Sequence, residues 1–210
     1  MKINIDAKLK EKLPEFNVIA YLMDVVNQTS ETVLNLLKDL EVDLKIEEVT
    51  TNPKILETRK GYKTLGKDPS HTRPACEALI RRVIKGTKLY SLGDLIDLGN
   101  ILSVKTKRSV CVVDAEKIAG DVLIRIGNEN EQIDAINRMP INAHNLPVYV
   151  DNEGIFGSPT SDTLRTAVNE FTKQILVMVI CFSKKDMDED EQLLLDLYQN
   201  YADAKNIIKL

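Results

Sequence analysis

The sequence predicts an α+β fold, on three observations. Up to about Lys107 the apolar residues recur at helical spacing. Beyond it they gather into short β-branched runs separated by Gly- and Asn-bearing turns. No internal repeat, low-complexity tract or flexible linker interrupts the 210 residues, a length sufficient for one sizeable core, so a single domain spanning 1–210 is expected.

The elements follow in order. Residues 1–16 read as a short strand and then a helix that stops before Pro14. Asn17 to Val26 is β-branched and apolar enough for a strand. Thr29 or Ser30 caps a helix carrying Val33, Leu37 and Leu40 on one face. Asn52-Pro53 opens another, with proline at its first position, and Gly66 is placed to end it. Asp68 to Pro74 is a rigid connector with Thr72 as the next cap. The helix from about Pro74 to Lys85 then shows an apolar stripe (Cys76, Leu79, Ile80, Val83, Ile84) and a basic one (Ala78, Arg81, Arg82, Lys85). Ser91 with Asp94 resembles a capping pair for a helix to about Val104. Strands are predicted at Ser109 to Asp114, Asp121 to Ile126, Val148 to Val150 and Gln174 to Phe182. A last helix starts after Ser183, with Leu194, Leu197, Tyr198 and Tyr201 on one face.

Composition removes several function classes. Hydrophobic residues at 43% and charged residues at 29% are ordinary globular values. The longest wholly apolar run, Ile175 to Phe182, is far too short to cross a bilayer, and the N-terminal stretch does not read as a signal peptide. Cys76, Cys111 and Cys181 are odd in number and lack metal-ligand spacing, which favours a reducing, cytoplasmic setting over a disulfide framework or a zinc site. Net charge is −4, yet the span from Lys54 to Arg108 carries thirteen Lys or Arg against five Asp or Glu, leaving −12 on the remainder. Such asymmetry suggests a basic face for an anionic partner, beside the plainer reading of a lysine-rich solvated surface.

Few motifs carry chemistry. Asp186, Asp188 and Asp190 imitate the start of a calcium loop, but Glu191 and Leu197 stand where that loop needs glycine and glutamate. Phosphate-binding glycine loops and nucleophile elbows are missing from the sequence, and nothing in it calls for a cofactor or metal. His71 and His144 read as surface residues, Cys76 and Cys111 as buried thiols. Asp97 and Asn100 are three apart on a helix and so point to nearly the same side. Gly93 and Gly99 beside them would allow a ligand or another backbone to come close. The plainer alternative is that both polar residues face water.

The segment Gly93-Asp-Leu-Ile-Asp97-Leu-Gly-Asn100 resembles a signature of the editing module of bacterial phenylalanyl-tRNA synthetase β subunits, the B3/B4 tRNA-binding domain. Upstream, Arg59-Lys-Gly-Tyr62, Gly66, Asp68-Pro69-Ser70 and the run Arg73 to Gly86 resemble free-standing members of that family, and Asp114 to Asp121 continues the likeness. The resemblance implies a β-rich, barrel-like core wrapped by helices. Within it, about 1–54 forms an N-terminal part, about 55–182 the family-like core and about 183–210 a C-terminal helix. It also implies hydrolysis of mischarged aminoacyl-tRNA, which a positioned water and donors to the developing oxyanion can achieve on an ester.

Residue by residue, Asn100 falls on the signature's pocket asparagine and Asp97 on its aspartate, the two catalytic candidates. Cys111 stands where the family has a pocket histidine, and a neutral thiol is no base near pH 7 without a strong pKa shift. The family's editing-glutamate stretch has no clear match. The nearest segment, Gly154 to Asp162 with Thr166, places Gly157, Ser161, Asp162 and Thr166 with Gly93, Asp97, Gly99, Asn100, Cys111 and Asp114 around the implied pocket. Lys60, Lys63, Arg73, Arg81, Arg82 and Lys85 would hold tRNA phosphates. The leading expectation is therefore a cytoplasmic protein of translation quality control that binds aminoacyl-tRNA and deacylates it in trans. Nothing resembles an amino-acid-activating domain, so a complete ligase is not expected. A silent module for RNA or an amino acid, and a partner-binding domain using the acidic C-terminal helix, remain alternatives.

Overall fold

The computed structural model describes residues 1–136 and 139–210. In chain order the first half supplies β1 (Ile3–Ile5), α1 (Ala7–Lys12), β2 (Asn17–Asp24), α2 (Glu31–Lys38), α3 (Pro53–Leu65), α4 (Ala75–Ile84) and α5 (Asp94–Thr106). Strands β3 (Ser109–Asp114) and β4 (Val122–Ile126) follow, separated by a 3-10 turn at Ala115–Lys117. Then come β5 (Gln132–Ile133), β6 (Ile141–Asn142), β7 (Pro147–Asp151), β8 (Gly154–Ser158) and β9 (Ser161–Asp162). The chain closes with β10 (Gln174–Cys181), α6 (Met187–Tyr201) and β11 (Lys205–Lys209).

Strand β10 organises the molecule. It pairs antiparallel with β2 on one side and β3 on the other, and β11 extends the sheet in the order β11-β2-β10-β3. Successive side chains of a strand point to opposite faces. Ile175, Val177, Val179 and Cys181 accordingly join Leu95, Leu98, Leu102, Leu194 and Tyr198 from α5 and α6 in one core cluster. Leu176, Met178, Ile180 and Phe182 join Val122, Ile124, Val148 and Phe156 of a second sheet. That is why the run is apolar without alternation: both its faces are covered.

The second sheet has the order β1-β4-β7-β8-β9, with β1 parallel to β4 and the remaining pairs antiparallel. The expected barrel-like core is corrected here, because the sheets do not close on one another. The three-residue β1 and the two-residue β9 end one sheet, and β11 and β3 end the other. The result is a mixed α+β domain of two packed sheets and a small β5–β6 pair. Helices α2, α5 and α6 lie on the outer face of one sheet, while Leu9 of α1 and Tyr62 and Leu65 of α3 join the core between the two.

Local signals account for the helices that frame the site. The hydroxyl of Ser30 accepts a bond from the Val33 amide at the start of α2. Proline opens α3, and Gly66 ends it with φ of 93°, a left-handed conformation that glycine adopts without a Cβ penalty. The predicted Thr72 cap is not made: Pro74 holds the N-cap position of α4, without a side-chain bond. The connector's last turn is instead fixed from outside, where the Ala75 amide donates to the Pro159 carbonyl (2.8 Å). Ser109 Oγ donates to that same carbonyl at 2.7 Å. One carbonyl thus ties α4, β3 and the β8–β9 turn together.

Candidate functional site

Between those three elements and α5 lies a cleft of about 600 Å³. The connector gives it Ser70, His71, Thr72 and Arg73. Helix α4 adds Leu79 and Arg82, and α5 adds Asn100 and Ser103. Val110 of β3 lies at its base, and Thr160, Ser161 and Asp162 form the opposite wall. Ile136 and Ile141 complete it, so the cleft joins four stretches of chain separated in sequence. Of the residues singled out from sequence it gathers Asn100, Ser161, Asp162, Arg73 and Arg82.

Asp162 is its most perturbed group. Burial pushes the carboxyl up to about 7, and a hydrogen bond from the Cys111 thiol opposes that rise. The residue still keeps part of its surface in the cleft, whereas Cys111 lies beneath it at 1% exposure. Burial and the adjacent Asp162 hold the Cys111 thiol well above its ordinary range, so it stays a neutral donor. Gly157 makes room for the carboxyl. A Cβ there would come within 2.7 Å of Asp162 Oδ1 and 2.9 Å of the Tyr149 ring.

The structure places other expected residues elsewhere. Asp97 is 1% exposed and turns back on the segment before α5, accepting from Ser91 Oγ (2.5 Å) and the Leu92 amide (2.9 Å). Helical spacing put it beside Asn100, but the unpaired groups ahead of the first helical turn claim its carboxylate. Asp94, the expected partner of Ser91, instead accepts from the Ser30 amide. The space beside Gly99 is filled by Val112, whose Cγ2 would lie 2.5 Å from an added Cβ, so this glycine serves packing of α5 on β3. Gly93 is the N-cap of α5, with φ of 98°. Asp114 caps the 3-10 turn and accepts from Thr172 Oγ1 at 2.7 Å. Thr166 is buried, its hydroxyl without a partner among the described residues.

The basic stripe divides in the same way. Glu77, fully buried, accepts from Arg59 (2.8 Å) and Arg81 (2.9 Å), with Arg73 at 3.5 Å. Arg81 is thus half-committed to α4 itself, in an i, i+4 pair that the sequence already offered. Arg82 and Lys85 are exposed, while Lys60 pairs with Glu57 on α3 and Lys63 stands exposed nearby, neither lining the cleft. Sequence reasoning missed Ser103 and Thr160 and treated His71 as ordinary surface. His71 Nδ1 sits 2.8 Å from Asp68 Oδ2 at the cleft rim. Its Asp-Pro-Ser-His setting was the available signal. Among the described residues no three His, Cys, Asp or Glu side chains gather as a metal site.

Two packed sheets framed by helices put the chain in an α+β class that known proteins share. The sequence profile of the B3/4 domain matches residues 57–194, and the chain belongs to the B3/4 domain family. It is similar to the phenylalanine–tRNA ligase beta subunit of Bartonella quintana, 32% identical over 94 residues, and to that of Bartonella henselae, 31% identical over 94. Each match takes in 42% of this chain but 11% of the relative's length. The fold resembles an N-terminal fragment of the phenylalanyl-tRNA synthetase beta subunit from Pyrococcus horikoshii. The TM-score is 0.54 at 12% identity, over 98% of this chain and 50% of that one.

Proposed function

We propose that this chain binds the aminoacyl-bearing end of tRNA in the cleft and hydrolyses its ester in trans, with residues 1–210 acting as one domain. One observation carries the reading: in a B3/4-family chain, Asn100, Ser161 and a carboxyl raised to about 7 share a cleft with Arg73 and Arg82. Perturbed carboxyls in clefts are the usual mark of proton-transfer sites. By the resemblance Cys111 stands where the family has its pocket histidine, and Asp162 beside it supplies a group that titrates in the range a histidine would.

The chemistry is economical. Asp162, when ionised, accepts a proton from a water whose oxygen bonds to the ester carbonyl carbon. The Asn100 amide donates to the carbonyl oxygen as it becomes an oxyanion. When the tetrahedral intermediate collapses, the ester C–O bond breaks and the proton passes to the departing ribose oxygen. Arg73 and Arg82 offer cationic groups for the phosphates that lead to that ribose. This role belongs to translation quality control in the cytoplasm. Among the described residues no helix is long and apolar enough to cross a membrane.

Incubation with a panel of aminoacylated tRNAs, correctly and wrongly charged, tests the reading. At least one ester should disappear faster than its spontaneous rate. If every ester decays at the spontaneous rate while tRNA still binds, the chain is a silent binding module.

A further inference from the structure

The segment linking α4 to α5 carries two exposed side chains at the edge of the cleft that none of the roles above uses. Tyr90 is 77% exposed and Leu92 is 69% exposed, two large side chains two residues apart that stand open to solvent. Leu92 lines the cleft itself. The Arg82 guanidinium carbon lies 5.7 Å from the centre of the Tyr90 ring, and Arg82 also lines the cleft. Asp97 holds this segment in place through Ser91 Oγ and the Leu92 amide. Its buried carboxylate thus acts on the rim and not inside the pocket.

We propose that Tyr90 and Leu92, backed by Arg82 and positioned by Asp97, form a stacking platform for an unpaired terminal nucleotide of the RNA whose end enters the cleft. The proposal rests on the reading of the cleft as a site for a tRNA end. Arg82 over the ring leaves Tyr90 largely open, which suits a planar ligand, and the cation strengthens contact with the π-face. Arg82, Lys85 and Lys88 are all exposed around the segment, so a ligand with flat bases on an anionic backbone satisfies ring and charges together. Free 3′ ends of tRNA are single-stranded and offer such bases, whereas paired bases present no open face.

The test uses the full chain and two RNA hairpins of identical stem, one blunt and one ending in an unpaired ACCA with 2-aminopurine as its last base. Tyr90→Ala should weaken the overhang hairpin about tenfold, abolish quenching of the 2-aminopurine, and leave the blunt hairpin's affinity unchanged. Tyr90→Phe should retain both affinity and quenching, because the ring and not its hydroxyl does the stacking. At an exposed site neither change should alter the thermal melt. Equal binding of the overhang hairpin by wild type and Tyr90→Ala overturns the platform while leaving the tRNA reading standing. Equal weakening of both hairpins overturns it too. Failure of wild type to bind either hairpin removes the tRNA reading and the platform with it.

Discussion

Replacing Asp162 with asparagine should make the protein more stable, and increasingly so as pH rises. The folded carboxyl lies at about 7 against an ordinary value of 3.8. Below the lower value both the folded and unfolded carboxyls are protonated and nothing is lost. Between the two the unfolded chain ionises while the folded one resists, so stability drains away with rising pH and levels off above about 7. At about 1.4 kcal/mol per pH unit the full displacement corresponds to about 4 kcal/mol, an upper bound because part of Asp162 still meets solvent in the cleft. Asp162→Asn keeps the shape and an acceptor for the Cys111 thiol while removing the charge. Its stability advantage over wild type should widen by about 2 kcal/mol between pH 5 and pH 8. Urea unfolding at the two pH values measures this directly. An advantage that does not change with pH, or a variant less stable than wild type at pH 8, would refute a carboxyl held against its ionisation. The same variant should lose activity, the usual exchange of function for stability at a strained site.

Three further outcomes follow from the geometry. Asp190 is buried against Lys54 (2.8 Å) and Arg108 (2.6 Å), so Asp190→Ala should cost about 3–5 kcal/mol in chemical denaturation by stranding a buried guanidinium. Pairing Asp190→Leu with Arg108→Met should recover most of that loss. Gly157→Ala drives a methyl against Asp162 and Tyr149 and should destabilise by about 1–3 kcal/mol, with the Asp162 titration displaced in a carboxyl NMR experiment. Arg73→Glu with Arg82→Glu should weaken tRNA binding and flatten the dependence of log affinity on log salt, because Arg82 is exposed and Arg73, though near Glu77, keeps about half its side chain open at the cleft rim. An unchanged slope would remove this face from the interface.

Much of the scaffold was legible because its signals are local. Ser30, Pro53 and Gly66 mark helix ends by their own conformational preferences, and the Ile175 to Phe182 run declares a strand covered on both faces. What was not legible depended on partners distant in sequence. Strand β11 falls inside the C-terminal helix expected over about 183–210, since Lys205 to Lys209 is an exposed edge with no alternation, and only pairing with β2 makes it a strand. The Gly154 to Asp162 segment offers no strand signal in the sequence because its glycines mask the β8–β9 hairpin. Asp97 shows the limit for the site. Its spacing from Asn100 was right for a shared helix side, but nothing in spacing reveals that residues 91–92 come back to claim it. Asn100 and Asp162 lie far apart in sequence and no spacing joins them: only the family resemblance set both at one pocket, and the folded chain puts both in one cleft.

The most direct measurement is the single-turnover hydrolysis rate of the best aminoacyl-tRNA substrate by wild type, Asn100→Ala and Asp162→Asn, each first shown to be folded. Both variants should fall towards the spontaneous rate, by about 10²-fold or more, and wild type should show an activity that rises through an inflection near pH 7. Wild-type rates in both variants would place the chemistry outside the cleft and contradict the account.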